Sequence, residues 1–230
     1  MMNVLVTDFS VTYEAQGFLE WLNIQADKPQ IVDLKDVEGT CCYCDPAAAE
    51  QIGKALPESL PALRWIDSGD YHYMTHLLAL REKEPFHLIL MDNHPDNQEP
   101  AFGGVLSCGS WVKEMQEQNK MLCSVLTIGP EGCVADIPEG WLQQRRGERV
   151  YVSLDKDIMD RSCSRTDWTQ GNHTLQQVKE ILSRIFESGV KVSAMDICGE
   201  MAPSKGATPE DLRINLETNV ELYKHIIKYL

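Results

Sequence analysis

Apolar positions run almost uninterrupted through seven short stretches, at 3–7, 30–34, 63–66, 87–91, 124–128, 149–154 and 191–197. Runs this short and this rich in Val, Ile and Leu predict strands buried on both faces. Between them the apolar positions recur every three to four residues, predicting helices over 14–22, 46–56, 72–82, 111–118, 175–188 and 209–229. Thr174 and Thr208 stand at helix N-cap positions, Pro209 at a first helical position, and Gly189 just past a helix end. The largely βαβα order predicts one α/β domain over 1–230, a doubly wound parallel sheet covered by helices on both faces. In such a sheet ligands sit at the carboxyl ends of the strands, where the loops 97–110, 129–140 and 160–173 fall.

Composition narrows the class. With 230 residues, 43% hydrophobic and 24% charged, the chain can bury a full core. It has no apolar run near the roughly 20 residues a membrane span requires. The amino terminus has neither a basic segment nor a cleavage site, which predicts a cytoplasmic protein. A net charge of −14, from 35 acids against 21 Lys and Arg, makes nucleic acid a poor partner. The eight cysteines are expected as reduced thiols. Cys41-Cys42-Tyr43-Cys44 is a dense cluster, but no second CxxC or HxxxH pair completes a zinc motif.

The candidate chemistry sits at two strand ends. The run 87–91 leads into Asp92-Asn93-His94-Pro95-Asp96, and the run 149–154 into Asp155-Lys156-Asp157. Extended backbone would put each alternating set on one side. Carboxylates gathered so closely either take up protons or hold cations between them. Oxygen donors with one or two imidazoles suit manganese, iron, cobalt or zinc, and bridging carboxylates make a two-metal site feasible. Lys156, facing away from its acidic neighbours, reads as an ion-pair partner. No glycine segment fits a phosphate loop, neither Gly103-Gly104 nor 129–132.

These blocks resemble those of the ureohydrolases, the family of arginase, agmatinase and formiminoglutamase. The DxHxD block is Asp92–Asp96 and the SxDxD block is Ser153–Asp157; Ser68–His72 is similar to the family's GGDH segment and Asp196–Pro203 to its DxxExxP segment. The resemblance implies a three-layer αβα arginase-like fold and two Mn2+ ions, with Fe, Co, Ni or Zn as substitutes. It places His72, Asp92, Asp96 and Asp155 on one ion and Asp92, His94, Asp155 and Asp157 on the other. It further implies a hydroxide between the metals that attacks a small guanidino or amidino compound, Glu200 pairing with the guanidinium, and a homo-oligomer. The sequence departs from the pattern in three places. Glu200 lies one residue further from Asp196 than the motif has it, Cys108-Gly109 stand where the family has His-Gly, and His76 rivals His72 as ligand.

His173, in the loop after the DxD block, is the candidate proton shuttle, and Trp168 in the same loop could stack on a guanidinium. Two other readings are a histone deacetylase-like zinc amidohydrolase, which the lack of a His-His pair opposes, and a scaffold that binds metal or ligand without turnover.

Overall fold

The structure, a computed structural model, describes residues 3–25, 29–101, 103–129 and 133–230. Met1 and Met2 of the amino terminus, and residues 130–132 of the glycine segment read above, lie outside the described residues. Among the described residues no helix is long and apolar enough to cross a membrane.

Seven strands form one sheet in the order β2-β1-β4-β9-β8-β5-β7. They are β1 Val4–Asp8, β2 Gln30–Asp33, β4 Leu63–Ser68, β5 Phe86–Met91, β7 Leu122–Ile128, β8 Arg149–Asp155 and β9 Lys191–Glu200. Every neighbouring pair is parallel. All seven predicted strands are present, and so is the doubly wound parallel sheet. Two two-residue strands, β3 Tyr43–Cys44 and β6 Leu106–Ser107, pair antiparallel apart from it; they are too short to leave a periodic signal.

Alternation along the strands divides the core in two. Val4, Val6, Ile89, Met91, Val150, Val152 and Leu154 face one layer, packing with α7 (Leu175–Glu187) and α8 (Pro209–Ile226). Leu5, Ile66, Leu88, Leu90 and Tyr151 face the other, against α3 (Pro46–Ala55), α4 (Met74–Ala79) and α5 (Trp111–Gln118). On α7 the positions Val178, Ile181, Leu182 and Ile185 are buried, each stabilising the fold by about 1.5–3 kcal/mol relative to exposure. Its start is fixed by a capping box: Thr174 Oγ1 accepts from Gln177 N, and Gln177 Oε1 accepts from Thr174 N. The helix predicted over 14–22 is instead two, α1 (Thr12–Ala15) and α2 (Phe18–Gln25), because Gly17 between them takes φ 74°. A further short helix, α6 (Trp141–Gln144), was not signalled by the pattern.

Candidate metal centre

Four adjacent central strands, β4, β9, β8 and β5, end at the same rim, and the candidate ligands lie there. Neither acidic block stays extended, however. β5 stops at Met91, and Asp92 Oδ1 accepts from His94 N at 2.6 Å, curling the chain; Asp96 has φ 45°. β8 stops at Asp155, whose Oδ1 accepts from Asp157 N at 2.9 Å as the chain enters a 3₁₀ turn, Lys156–Ile158. The carboxylates therefore converge through side-chain-capped turns rather than through strand alternation. The same winding sends Lys156 inward.

His72 follows β4 on a 3₁₀ turn, Gly69–Tyr71, and is buried. Its Nδ1 lies 3.2 Å from Asp92 Oδ2, 3.0 Å from Asp96 Oδ2 and 3.3 Å from Asp155 Oδ2. Its Nε2 is 3.0 Å from Ser153 Oγ, which donates to Asp196 Oδ1 at 2.7 Å. Asp196 also accepts from Tyr151 and Thr75, so a buried carboxylate sets the orientation of the imidazole from behind. His94 forms the second group: its Nδ1 is 2.7 Å from Asp157 Oδ2 and 3.6 Å from Asp92 Oδ1, and its Nε2 is 2.7 Å from Thr169 Oγ1. Asp92 is thus shared between the sets His72–Asp92–Asp96 and Asp92–His94–Asp157, each compact enough to hold one ion. His76 takes no part; its buried Nδ1 has no partner and burial pushes the ring down to about 4.

Charge is badly balanced in this cluster. Burial, then the neighbouring Asp157 and Asp92, raises the Asp155 carboxyl well above its ordinary range. Burial and Asp92 push Asp157 up to about 7. Burial depresses His72, but the surrounding Asp92, Asp96 and Asp155 outweigh it and raise the imidazole well above normal. The hydrogen bond to Asp157, and then Asp92, raises His94 to about 10. Asp92 Oδ2 is buried without a hydrogen bond, because one ring N–H of His72 cannot serve three carboxylates at once. Divalent cations suit this donor set of carboxylate oxygens and imidazoles.

A pH dependence follows for the metal-free protein. Acids whose pKa rises on folding oppose folding once pH exceeds their unfolded value near 4, most fully above about 7 for Asp157. Histidines whose pKa rises contribute stability below about 6.5 that is lost as pH climbs toward about 10 for His94. Both signs agree. Melting temperature in chelator should rise as pH falls from about 9 to about 6.5, below which the buried His76 opposes the trend, and saturating divalent metal should flatten or reverse that slope.

The cavity over these groups is small, about 50 Å3, and is lined also by Gly69, Gln98, Cys108, Gly109 and Trp168. Trp168 packs edge-on to His94 at 5.9 Å and lies so close to Gly69 that a Cβ there would be 2.7 Å from its ring. Trp111 Nε1 donates to Asp96 Oδ2 at 2.6 Å.

Two of the expected site residues lie apart from the cluster. His173 is not among the lining residues; its backbone is pinned to Ile158 and Asp160, and the loop presents Thr169 and Trp168 instead. Glu200 is fully buried away from the cavity, where it pairs with Lys156 and accepts from Asn219 Nδ2 at 2.8 Å and Gln16 Nε2 at 2.6 Å. The cause is the longer Asp196–Glu200 spacing. It puts Gly199, φ 91°, beside the acidic cluster, and a Cβ there would collide with Asp155 Oδ1 and lie 2.7 Å from Lys156 N. Gly199→Ala should therefore cost roughly 1–3 kcal/mol and weaken metal binding about 10–100-fold, as read by melting and metal titration. Sequence reasoning missed Gly199, Asp196 as the support of His72, and Thr169; only the unusual spacing signalled the first.

A parallel seven-stranded αβα sheet with acids and histidines at its carboxyl rim defines the arginase-like fold class, and this chain has that fold. Among solved structures it is similar to the proclavaminate amidino hydrolase of Streptomyces clavuligerus, with a TM-score of 0.65 at 16% identity, covering 100% of this chain and 93% of the other. It is also similar to the formiminoglutamase of Trypanosoma cruzi, described with Mn2+, with a TM-score of 0.60 at 12% identity over 97% and 91% of the two chains. An uncharacterized protein of Thermotoga maritima is 27% identical over 237 aligned positions, covering 99% of this chain and 92% of that one. No family model matches the sequence.

Proposed function

We propose that the chain, as a single catalytic unit over 1–230, is a divergent ureohydrolase-type enzyme that cleaves a non-peptide C–N bond in a small guanidino or amidino compound. The observation that carries this is Asp92, shared between two ligand sets and left with a buried, unsatisfied oxygen. His72, Asp92, Asp96 and Asp155 would hold one divalent ion, and Asp92, His94 and Asp157 the other, with manganese the first choice. Such a pair of ions supplies a water acidified enough to attack at neutral pH.

The chain's own residues do the rest. Ser153 and Asp196 hold His72 in register, and Thr169 and Trp168 hold His94 from the outer side. Trp168 lines the cavity beside His94 and Gly69. Gln98 and Cys108 line the remaining side, so polar contact to a substrate falls to an amide and a thiol rather than to an imidazole. Manganese-reconstituted protein should hold about two ions per chain by elemental analysis and release urea, or the corresponding amide, from a member of a guanidino and amidino panel. Neither urea nor amide released across the panel, with two ions bound, would defeat the hydrolase reading.

One observation favours a second reading, a metal-binding scaffold without turnover on guanidino compounds. The acid that the family resemblance assigns to the guanidinium, Glu200, is occupied by Lys156. Tight metal binding with no hydrolysis of any panel member would support it.

A further inference from the structure

The cysteine run at 41–44 takes no part in the acid and histidine cluster, yet its first two thiols meet at one buried carboxylate. Adjacent residues in an extended chain point to opposite sides. Cys42 instead adopts φ 59°, a left-handed conformation that is rare for a residue with a side chain. The turn brings both thiols onto Asp70: Cys41 Sγ lies 3.5 Å from Oδ2 and Cys42 Sγ 3.3 Å from Oδ1. The three donor atoms all fall within 4.8 Å of one another. A tetrahedral zinc ion, with bonds of about 2.3 Å to sulfur and about 2.0–2.2 Å to oxygen, sets sulfur-to-oxygen edges of roughly 3.6 Å. Each sulfur lies near one oxygen of the same carboxylate, and the three donors together are compact enough to hold one such ion.

A further cysteine is tied to this turn through the backbone. β3 and β6 pair Tyr43 with Ser107 and Cys44 with Leu106, so the next residues along the ladder are Cys42 and Cys108. Cys108 N donates to Cys42 O at 2.9 Å, which joins the cavity wall to this turn. Asp70 is held on its outer side by Trp168 Nε1 at 3.2 Å and Lys205 Nζ at 3.0 Å. Partners of this kind fix a ligating carboxylate in place.

We propose that Cys41, Cys42 and Asp70 form a separate site for one thiophilic divalent cation of the zinc class. Two thiolates and one carboxylate carry three negative charges, which a divalent ion and the Lys205 ammonium balance. The ion would tie the 36–45 loop to the 3₁₀ turn that presents His72, and would anchor the Cys108 wall of the cavity. The proposal does not depend on the hydrolase reading.

The test uses reduced full-length protein, preloaded with manganese and titrated with cobalt(II). One equivalent should produce the thiolate-to-cobalt charge-transfer absorption and the strong visible bands of a tetrahedral ion. Both should survive in Asp155→Ala and vanish in the Cys41→Ser/Cys42→Ser double variant. Cys108→Ser should keep the bands, because Cys108 meets the turn through its backbone. Because Cys41 is exposed, the single Cys41→Ser variant tests the site without touching the core; it should lower the charge-transfer intensity. Absence of the absorption in reduced wild-type protein overturns the proposal. So does its persistence in the double variant, which would move the sulfur ligand to Cys198 beside His72 and Asp155.

Discussion

Asp155→Ala should abolish one metal site and lower turnover by about 10³-fold, equivalent to about 4 kcal/mol of lost transition-state stabilisation. Asp155 touches His72 on one side and orders the turn that carries Asp157 on the other, so its loss disturbs both ligand sets. The same position makes an opposite prediction for metal-free protein. Burial and two acidic neighbours already penalise the Asp155 carboxylate there. Asp155→Asn keeps the acceptor for Asp157 N while removing the charge, and should raise the melting temperature of metal-free protein near pH 8, by roughly 1–3 kcal/mol of stability. Elemental analysis, steady-state turnover and melting in chelator read the three effects separately. An Asp155→Asn variant less stable than wild type without metal would show that charge crowding is not what the cluster stores.

The second large effect concerns Lys156 and Glu200, both fully buried. Lys156→Met leaves the Glu200 carboxylate without its cation in the core and should destabilise the protein by about 3–5 kcal/mol. Lys156→Met combined with Glu200→Gln removes both charges, keeps most of the packing volume and should recover most of that loss. The comparison is made by denaturant unfolding of wild type, Lys156→Met, Glu200→Gln and the double variant in a double-mutant cycle. A double variant as unstable as the single one would mean that packing around the lysine stem, rather than the ion pair, holds β9 to the turn after β8.

Much of this was legible in the residues, for identifiable reasons. Central parallel strands are buried on both faces, so 87–91 and 149–154 read as apolar runs and appear as β5 and β8. The convergence of the two acidic blocks at one rim was legible, since both follow central strands that end side by side. How they converge was not: the side chains of Asp92 and Asp155 capture backbone N–H groups two residues on, and turns replace the extended geometry. The positions of Glu200 and His173 apart from the cavity were not legible, because their surroundings are made by distant segments. Glu200 answers to Lys156, Asn219 and Gln16, and His173 to the Ile158 and Asp160 backbone. The choice between His72 and His76 rests on the 3₁₀ turn at Gly69–Tyr71, which delays the start of α4 to Met74. No helical period distinguishes those two histidines.

The strand order has a kinetic consequence. The four strands that converge on the acidic rim, β4, β5, β8 and β9, are drawn from residues 63 to 200 and pair only in parallel. Parallel neighbours cannot form by simple hairpin closure; each pairing closes a long loop before any contact repays it. The two ligand sets therefore come together late, after the sheet centre has assembled, and the metal has little to grip in the unfolded chain. Added divalent ion should slow unfolding far more than it speeds refolding, the mark of a ligand that locks a finished structure rather than seeding it.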